Sequence, residues 1–393
     1  MKKTKIDRRA VFGLGLLVFI LLILIIAITI AKHTGNSSKK ADESDKKNKV
    51  TTTEKAEATT EKEMTVDEMI EAYIANFNRK AGKDTTPPLI LSGANTNAKL
   101  GSSKIPDPGL AIDDYDREIT FTYEGNYDLN KVGTYKVVRI ATDDAGNKTK
   151  QDVTLNVMAE LPREPEPTRM ATLKIEDAIK KYKTSDDISA GIDVSRWQGD
   201  IDWAKVKGAG ISFVMMRLGI QDGVHGEYYV DRNFVQYFKD AQAAGLKVGV
   251  YLYTYATCKD DGVKDAMFVY KTLKENNFTP DLPIAFDWES FGSVSSFKTS
   301  LKDMNDALQV FQGILEIAGY QTCLYNSKFY LASGIWENPD DNNIWLAQYN
   351  DKVTYEGKYF MWQCSNTGSV PGIKGDVDID FMYSAPKDKT VSK

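Results

Sequence analysis

The sequence predicts a multidomain protein: a β/α barrel (TIM-like) at its C-terminal end, an all-β module before it, and a transmembrane helix at the N-terminus. Three observations carry this prediction. The chain has 393 residues, too long for one small domain. From residue 188 onward, apolar strand-like runs alternate with amphipathic helical stretches over about 200 residues. Between 84 and 158 there are only short β-rich runs separated by turn residues.

The chain opens on a basic tail, 1–9, with Lys2, Lys3, Lys5, Arg8 and Arg9. The run 10–31 contains no charged residue. As a helix it would extend about 33 Å, enough for a bilayer core. A positive flank stays cytoplasmic, so the expectation is a single-pass protein held in the cytoplasmic membrane, with its C-terminal domains on the cell-wall side. A cleaved signal peptide ending near Thr29 and Ala31 is the rival; the apolar run is longer than a usual signal core.

Residues 32–63 are Lys, Glu, Thr, Ser, Asp and Ala with almost no large apolar side chain. They cannot bury enough surface to offset ordering entropy, and read as a disordered linker. At 64–82 an amphipathic helix is expected. Thr65 and Glu68 suit a capping box, Val66, Met69, Ile70, Tyr73, Ile74 and Phe77 share a face, and Gly82 ends it. That face should pack on the next domain, self-association or a protein partner being the alternative.

Within 84–158 the β runs are 89–91, 119–123, 135–141 and 153–157, with turn chemistry at PDPG (106–109) and DAGN (144–147). The opening DTTPP (84–88), GTY (133–135) and ATDDAGN (141–147) resemble the Ig-like modules of bacterial surface proteins. The resemblance implies an Ig-like sandwich, an architecture rather than an activity. Asp113, Asp114, Asp116, Asp143 and Asp144 could gather round calcium. Solvated turn acids are the preferred reading, and no metal is expected. Residues 159–187 begin with the stiff PREPEP and read as a linker, with a short helix at 175–182.

The last domain is placed at 188–385, followed by a tail, 386–393. Strands are expected at 190–194, 213–217, 247–253, 283–286, 322–325, 343–347, 359–362 and 377–381, and helices at 231–244, 262–276, 301–318 and near Ser327. Barrel enzymes carry their chemistry at the C-terminal ends of strands. Asp193 ends the first strand, Asp287 and Glu289 the fourth, and Asp378 lies in the last. In the run PIAFDWE (283–289), alternation puts Asp287 and Glu289 on one side, with Cα atoms about 7 Å apart. Two acids so placed can be driven to different protonation states, as glycoside hydrolysis requires. Each acid alone has a plain structural reading: Asp193 could cap a turn, and Asp378 could pair with Arg217.

Other chemistries are poorly served. A net charge of −5 offers no case for nucleic acid. His33 and His225 are the only histidines, and Cys258, Cys323 and Cys364 form no CxxC pair or disulfide framework. A nucleophilic Cys258–His225 pair is a remote rival.

The stretches GIDVSRWQ (191–198), IDW (201–203), Asp231 with Phe234, AGLKVGVY (244–251), PIAFDWE, WLAQY (345–349), WQ (362–363) and VD (377–378) occur in order with sensible spacing. Together they resemble glycoside hydrolase family 25, the Chalaropsis-type lysozymes or muramidases. The resemblance runs through 190–383. It implies an irregular flattened barrel without metal or cofactor, acting on peptidoglycan glycan strands at the β-1,4 bond between N-acetylmuramic acid and N-acetylglucosamine. It implies Glu289 as general acid, Asp287 as its carboxylate partner, and Asp193 and Asp378 as supporting acids. Trp288 stands where a smaller aliphatic is frequent, and Asp380 where Asn is frequent, which leaves subsite shape open.

A sugar groove also wants aromatic faces. Tyr253, Tyr325 and Trp362 are the preferred lining residues, followed by Trp345, Trp197 and Tyr255; Arg217 is placed in an ion pair or on the muramyl carboxylate. Glu289 is expected to hold its proton because Trp288 and a neighbouring charge raise its pKa, while Asp287 stays ionised. The reading is therefore a membrane-anchored muramidase. The alternative is a wall-binding or surface-complex protein that uses the barrel groove or the Ig-like module without catalysis.

Overall fold

The computed structural model describes residues 64–80, 82–106, 111–163, 169–289 and 298–387. The expected membrane segment, the 32–63 linker and the last six residues lie outside them. Among the described residues no helix is long and apolar enough to cross a membrane. All of the described residues belong to one compact unit, Glu63–Lys393.

Helix α1 (Val66–Asn76) starts as expected. Thr65 Oγ1 accepts from the Glu68 amide at 3.2 Å, and Glu68 Oε2 accepts from the Thr65 amide at 2.7 Å. It ends earlier than expected, at the extended cap Phe77 rather than at Gly82.

The module that follows contains β1 (Leu89–Ile90), β2 (Asn95–Lys99), β3 (Ala111–Ile112), β4 (Thr120–Glu124), β5 (Gly133–Thr142) and β6 (Lys148–Met158). Strands β2, β6, β5 and β4 form one sheet in that order, while β1 and β3 pair over only two residues. The all-β expectation matches, but the second layer of a sandwich is reduced to this short ladder. Strand alternation gives the sheet one apolar face: Val153, Leu155 and Val157 of β6 pack with Val137 of β5 and Ala98 of β2.

Next come β7 (Leu173–Lys174) and α2 (Ile175–Tyr182), then β8 (Ile188–Val194), α3 (Trp203–Gly208), β9 (Phe213–Gln221), β10 (Tyr228–Val230), α4 (Phe234–Ala243) and β11 (Lys247–Tyr253). The chain continues through α5 (Lys259–Asn276), β12 (Ile284–Asp287), α6 (Leu301–Ile317), β13 (Thr322–Ser327), α7 (Lys328–Ala332), β14 (Ile344–Ala347), β15 (Tyr359–Ser369) and β16 (Val377–Lys387). Strands β8, β9 and β11 to β15 run parallel; β16 is antiparallel to both β15 and β8 and closes the ring. The strands are buried on both faces, so they read as continuous apolar runs. Phe213 and Met215 point into the barrel with Ala285, Trp345 and Met361, whereas Val214 and Met216 face the surrounding helices. Gly191 leaves room for the Phe213 ring, into which any Cβ would run.

Two expectations need correction. The stretch 159–187 is a linker only in its first part. β7 pairs with β15, Ile175 and Ala178 are fully buried, and Tyr182 meets Trp362 edge-on at 4.9 Å. Helix α1 packs on barrel helices instead of the β-module. Its Ile70 is 1% exposed, its Tyr73 hydroxyl donates to Gln309 O at 3.2 Å beside Gly313, and Lys259 Nζ reaches Ile74 O and Phe77 O. Ile70 is thereby buried and Tyr73, Ile74 and Phe77 are partly covered, while Val66 and Met69 of the same face stay exposed.

Candidate active site

The parallel strands aim their C-terminal ends at one rim. Asp193 lies one residue from the end of β8, and Asp287 ends β12. β16 runs the opposite way, so it is its N-terminal end that reaches this rim, and Asp378 pairs in register with Asp193. The acids feel one another: Asp193 and Glu289 both act on Asp287, and Glu289 acts on Asp378. The four acids predicted from sequence are brought together.

Their surroundings differ. Asp287 is 3% exposed and Asp193 5%. Glu289 lies just beyond β12 and keeps an open face to solvent, while protein atoms crowd it from the other sides. That combination describes the wall of a cleft. Asp378 is half-buried. Substrate can therefore touch Glu289 directly, while Asp287 and Asp193 meet only what is lowered into the floor.

Burial raises the pKa of all four. It pushes Asp287 well up, helped by the Glu289 charge and opposed by Arg217. It also raises Glu289, but the hydrogen bond from Asp287 pulls Glu289 back down. Asp287 was expected to be the ionised partner; its burial and the Glu289 charge instead push its carboxyl in the same upward direction as that of Glu289. Trp288 was expected to shield Glu289. It points away from the cleft, fully buried, with Nε1 donating to Ala256 O at 2.8 Å.

A second set of acids lies beside the first. Burial, then the Asp193 charge, lifts Asp378 to about 9. Burial, then the Asp380 charge, raises Asp193 well above its usual range. Asp380 is fully buried, accepts from Trp345 Nε1 at 2.8 Å and is likewise raised by burial. Asp287 Oδ1 and Asp380 Oδ2 meet no amide, hydroxyl or cationic donor. A protonated neighbouring carboxyl is the donor such positions call for.

Gln363 ties the floor together. Its Oε1 accepts from the Tyr325 and Tyr349 hydroxyls, each at 2.8 Å, and this orients Nε2 to donate to Asp193 Oδ2 at 2.8 Å. Gln363, Tyr349 and Asp380 were not among the expected site residues. The alternation of β15 was the available signal for Gln363, since inward Met361 is two residues before it.

The expected groove aromatics divide. Tyr253 and Tyr255 are half-buried at the rim, edge to face at 5.5 Å. Trp197 is 72% exposed on the turn after β8, with the Arg196 guanidinium over its ring at 4.9 Å. Tyr325 contributes its hydroxyl to the floor. Trp345 is 1% exposed and packs below Tyr325 inside the barrel, so it offers no face to a ligand. Trp362 is on the wrong side altogether. It neighbours the inward Gln363, points outward under α2, and donates to Gln348 O. Arg217 pairs with Asp231 through Nε at 2.9 Å and Nη2 at 2.7 Å, not with Asp378.

Cys258 and His225 do not form a nucleophile pair. Both approach Asp261, which accepts from the thiol at 3.5 Å and lies 3.2 Å from the ring Nδ1, and burial raises the thiol pKa.

Residues 192–373 match the family model described as Glycosyl hydrolases family 25. The chain is 27% identical over 191 residues to the autolytic lysozyme of Clostridium acetobutylicum, a match covering 48% of this chain and 54% of that protein. It is 26% identical over 201 residues to lysozyme M1 of Streptomyces globisporus, covering 48% and 65%. The chain thus spans a little over half the length of the Clostridium relative. Among solved structures, the modular autolysin LytC of Streptococcus pneumoniae aligns at 23% identity over 63% of this chain and 56% of its own, with a TM-score of 0.45.

Proposed function

We propose that the protein is a peptidoglycan muramidase that cleaves the β-1,4 bond between N-acetylmuramic acid and N-acetylglucosamine. The observation that carries the reading is the meeting of Asp193, Asp287, Glu289 and Asp378 at one barrel rim, with Glu289 the most exposed of the four. The family match over 192–373 supports the same substrate class.

In this reading a glycan strand lies along the cleft with the scissile oxygen above Glu289. The 2-acetamido group of the muramyl unit is lowered toward Asp287. Its N–H donates to the Asp287 carboxylate as the proton passes from Asp287 to Glu289, which loads the acid. Glu289 then gives that proton to the leaving oxygen as the glycosidic bond breaks. The acetamido oxygen attacks the anomeric carbon, so the protein need not supply a nucleophile. Gln363 holds Asp193 against the Asp287 side of the floor, and Tyr253, Tyr255 and Trp197 offer ring faces to the sugars.

The uncharged 10–31 run supports an anchor in the cytoplasmic membrane, the 32–63 stretch a tether, and the β-module an Ig-like spacer that carries the enzyme to the wall. The test is digestion of purified cell walls, with new reducing ends identified by mass spectrometry. Reducing N-acetylmuramic acid is the expected product. Reducing N-acetylglucosamine, or no soluble fragments, would sink the assignment.

A further inference from the structure

A second group of carboxylates lies in the β-module. Asp84, Asp113, Asp116 and Asp143 bring carboxylate oxygens within 4.8 Å of one another. They come from three places in the sequence: the entry to the module (Asp84), the turn after β3 (Asp113 and Asp116) and the turn after β5 (Asp143). Asp84 was outside the acids considered from sequence, and Asp114 and Asp144 do not join the set.

Proximity of acids alone would not point to a ligand. The telling residue is Asp113. It is 1% exposed, and its Oδ1 accepts from the amides of Tyr115 and Asp116, both at 2.9 Å. Its Oδ2 is buried and meets no donor, and neither does the buried Asp84 Oδ2. No Lys or Arg among the described residues makes an ion pair with any of the four. A buried carboxylate oxygen without donor or counter-charge is costly, and a bound cation removes that cost.

We infer that Asp84, Asp113, Asp116 and Asp143 bind a divalent cation, and that the cation is calcium. Oxygen-only donors suit a hard cation. Ca²⁺ takes its oxygens at about 2.3–2.6 Å, so opposite ligands stand about 4.6–5.2 Å apart, whereas Mg²⁺ would need about 4.2 Å. All four oxygens lie within 4.8 Å of one another, close enough to share one ion, and carboxylates gathered from separate turns suit the flexible, oxygen-rich shell of Ca²⁺ better than the hydrated octahedron of Mg²⁺. Backbone amides also fix the carboxylates in place. Asp116 Oδ2 accepts from the Asp144 amide at 2.7 Å, Asp143 Oδ1 from the Asn147 amide at 2.7 Å, and Asp84 Oδ1 from the Thr86 amide at 3.1 Å.

The position suggests what the ion does. Asp113 O and Asp114 O accept from the Leu301 and Lys302 amides at 2.7 and 3.0 Å, at the start of α6. Arg117 pairs with Asp303 in the same place, and Lys298 with Glu118. Calcium holds the turn that docks the module on the barrel.

The test uses the full chain in detergent, stripped with EGTA and desalted. Isothermal titration with CaCl₂ should give one site per chain, with Kd near the roughly 0.1–1 mM range of modules working in millimolar calcium. The unfolding midpoint should rise by several degrees at a hundredfold excess over Kd, with Mg²⁺ far less effective. Asp113→Asn and Asp116→Asn should abolish the heat and the shift, while Asp144→Asn keeps both. In EGTA, Asp116→Asn should be at least as stable as the parent, because it removes one uncompensated charge. No heat up to about 10 mM CaCl₂ would overturn the site. So would an Asp116→Asn protein that, correctly folded by circular dichroism, responds to calcium like the parent. Wall digestion is not the readout, so failure here and failure of the muramidase reading remain distinguishable.

Discussion

The barrel rim gathers five acids and the β-module four aspartates, and they settle the same repulsion differently. At the rim the carboxyls lean on one another and on Gln363 and Trp345, and burial raises their pKa values. In the module the carboxylates are held by backbone amides, which donate to one oxygen of Asp113 and of Asp143, while Asp113 Oδ2 and Asp84 Oδ2 are left without a partner. Acids that lean on one another are equipped to share and move a proton, whereas acids oriented by backbone amides around unpartnered oxygens are equipped to hold a cation. Calcium should therefore act on module docking and leave the rim chemistry unchanged.

The sharpest way to break this contrast is at Glu289. Glu289→Gln cannot donate a proton, and kcat for glycan hydrolysis should fall roughly 10³-fold while wall binding persists. Near wild-type release of reducing ends would remove Glu289 from the mechanism. Asp287→Asn should cost roughly 10²-fold and change the pH profile. The parent needs one proton on the Asp287–Glu289 pair, so its kcat should fall at both low and high pH. The variant should lose the acid limb and keep the alkaline one, and a retained bell would show that the pair is not coupled.

Truncation tests the packing around the barrel. A fragment beginning at residue 169 keeps β7 and α2 and should unfold cooperatively. One beginning at 188 loses buried Ile175 and Ala178 and uncovers Trp362, and should show a clearly lower midpoint. Equal midpoints would return 159–187 to the role of a plain linker.

Asp378 links stability to pH. Its pKa rises from 3.8 unfolded to about 9 folded, so the folded state binds the extra proton in between. Its contribution to stability is full below pH 3.8 and is lost as pH rises through about 9. Asp378→Asn should remove that slope, raise the midpoint near pH 8 and lower kcat about tenfold. A lower midpoint at pH 8 would contradict the raised pKa. The smallest effect is expected at Trp197, 72% exposed. Trp197→Ala should raise KM a few-fold with kcat and stability unchanged, whereas Trp362→Ala should destabilise by about 3–5 kcal/mol. The opposite pattern would put Trp362 back in the groove.

Much of this was legible along the chain. The strands of the barrel stand out because burial on both faces makes them apolar throughout, and α1 is announced by Thr65 and Glu68. Asp193, Asp287 and Glu289 were readable because strand ends in a parallel barrel share one rim. The end of α1 was misplaced because its last turn is set by contacts with Lys259 on α5, which no local pattern reports.

What the sequence determined by itself is what depends on neighbours a few residues apart: alternation, capping, turns, and which acids sit at strand ends. Tertiary structure alone decided the direction of β16, which carries Asp378 to the rim from its N-terminal end. It also decided that Trp362 faces outward while Gln363 faces the floor, and that Asp84 joins acids nearly sixty residues away. Side-chain facing along one strand is a local, two-residue rule. Which face is the cleft, and which distant carboxylates share one small volume, depends on how the whole ring closes.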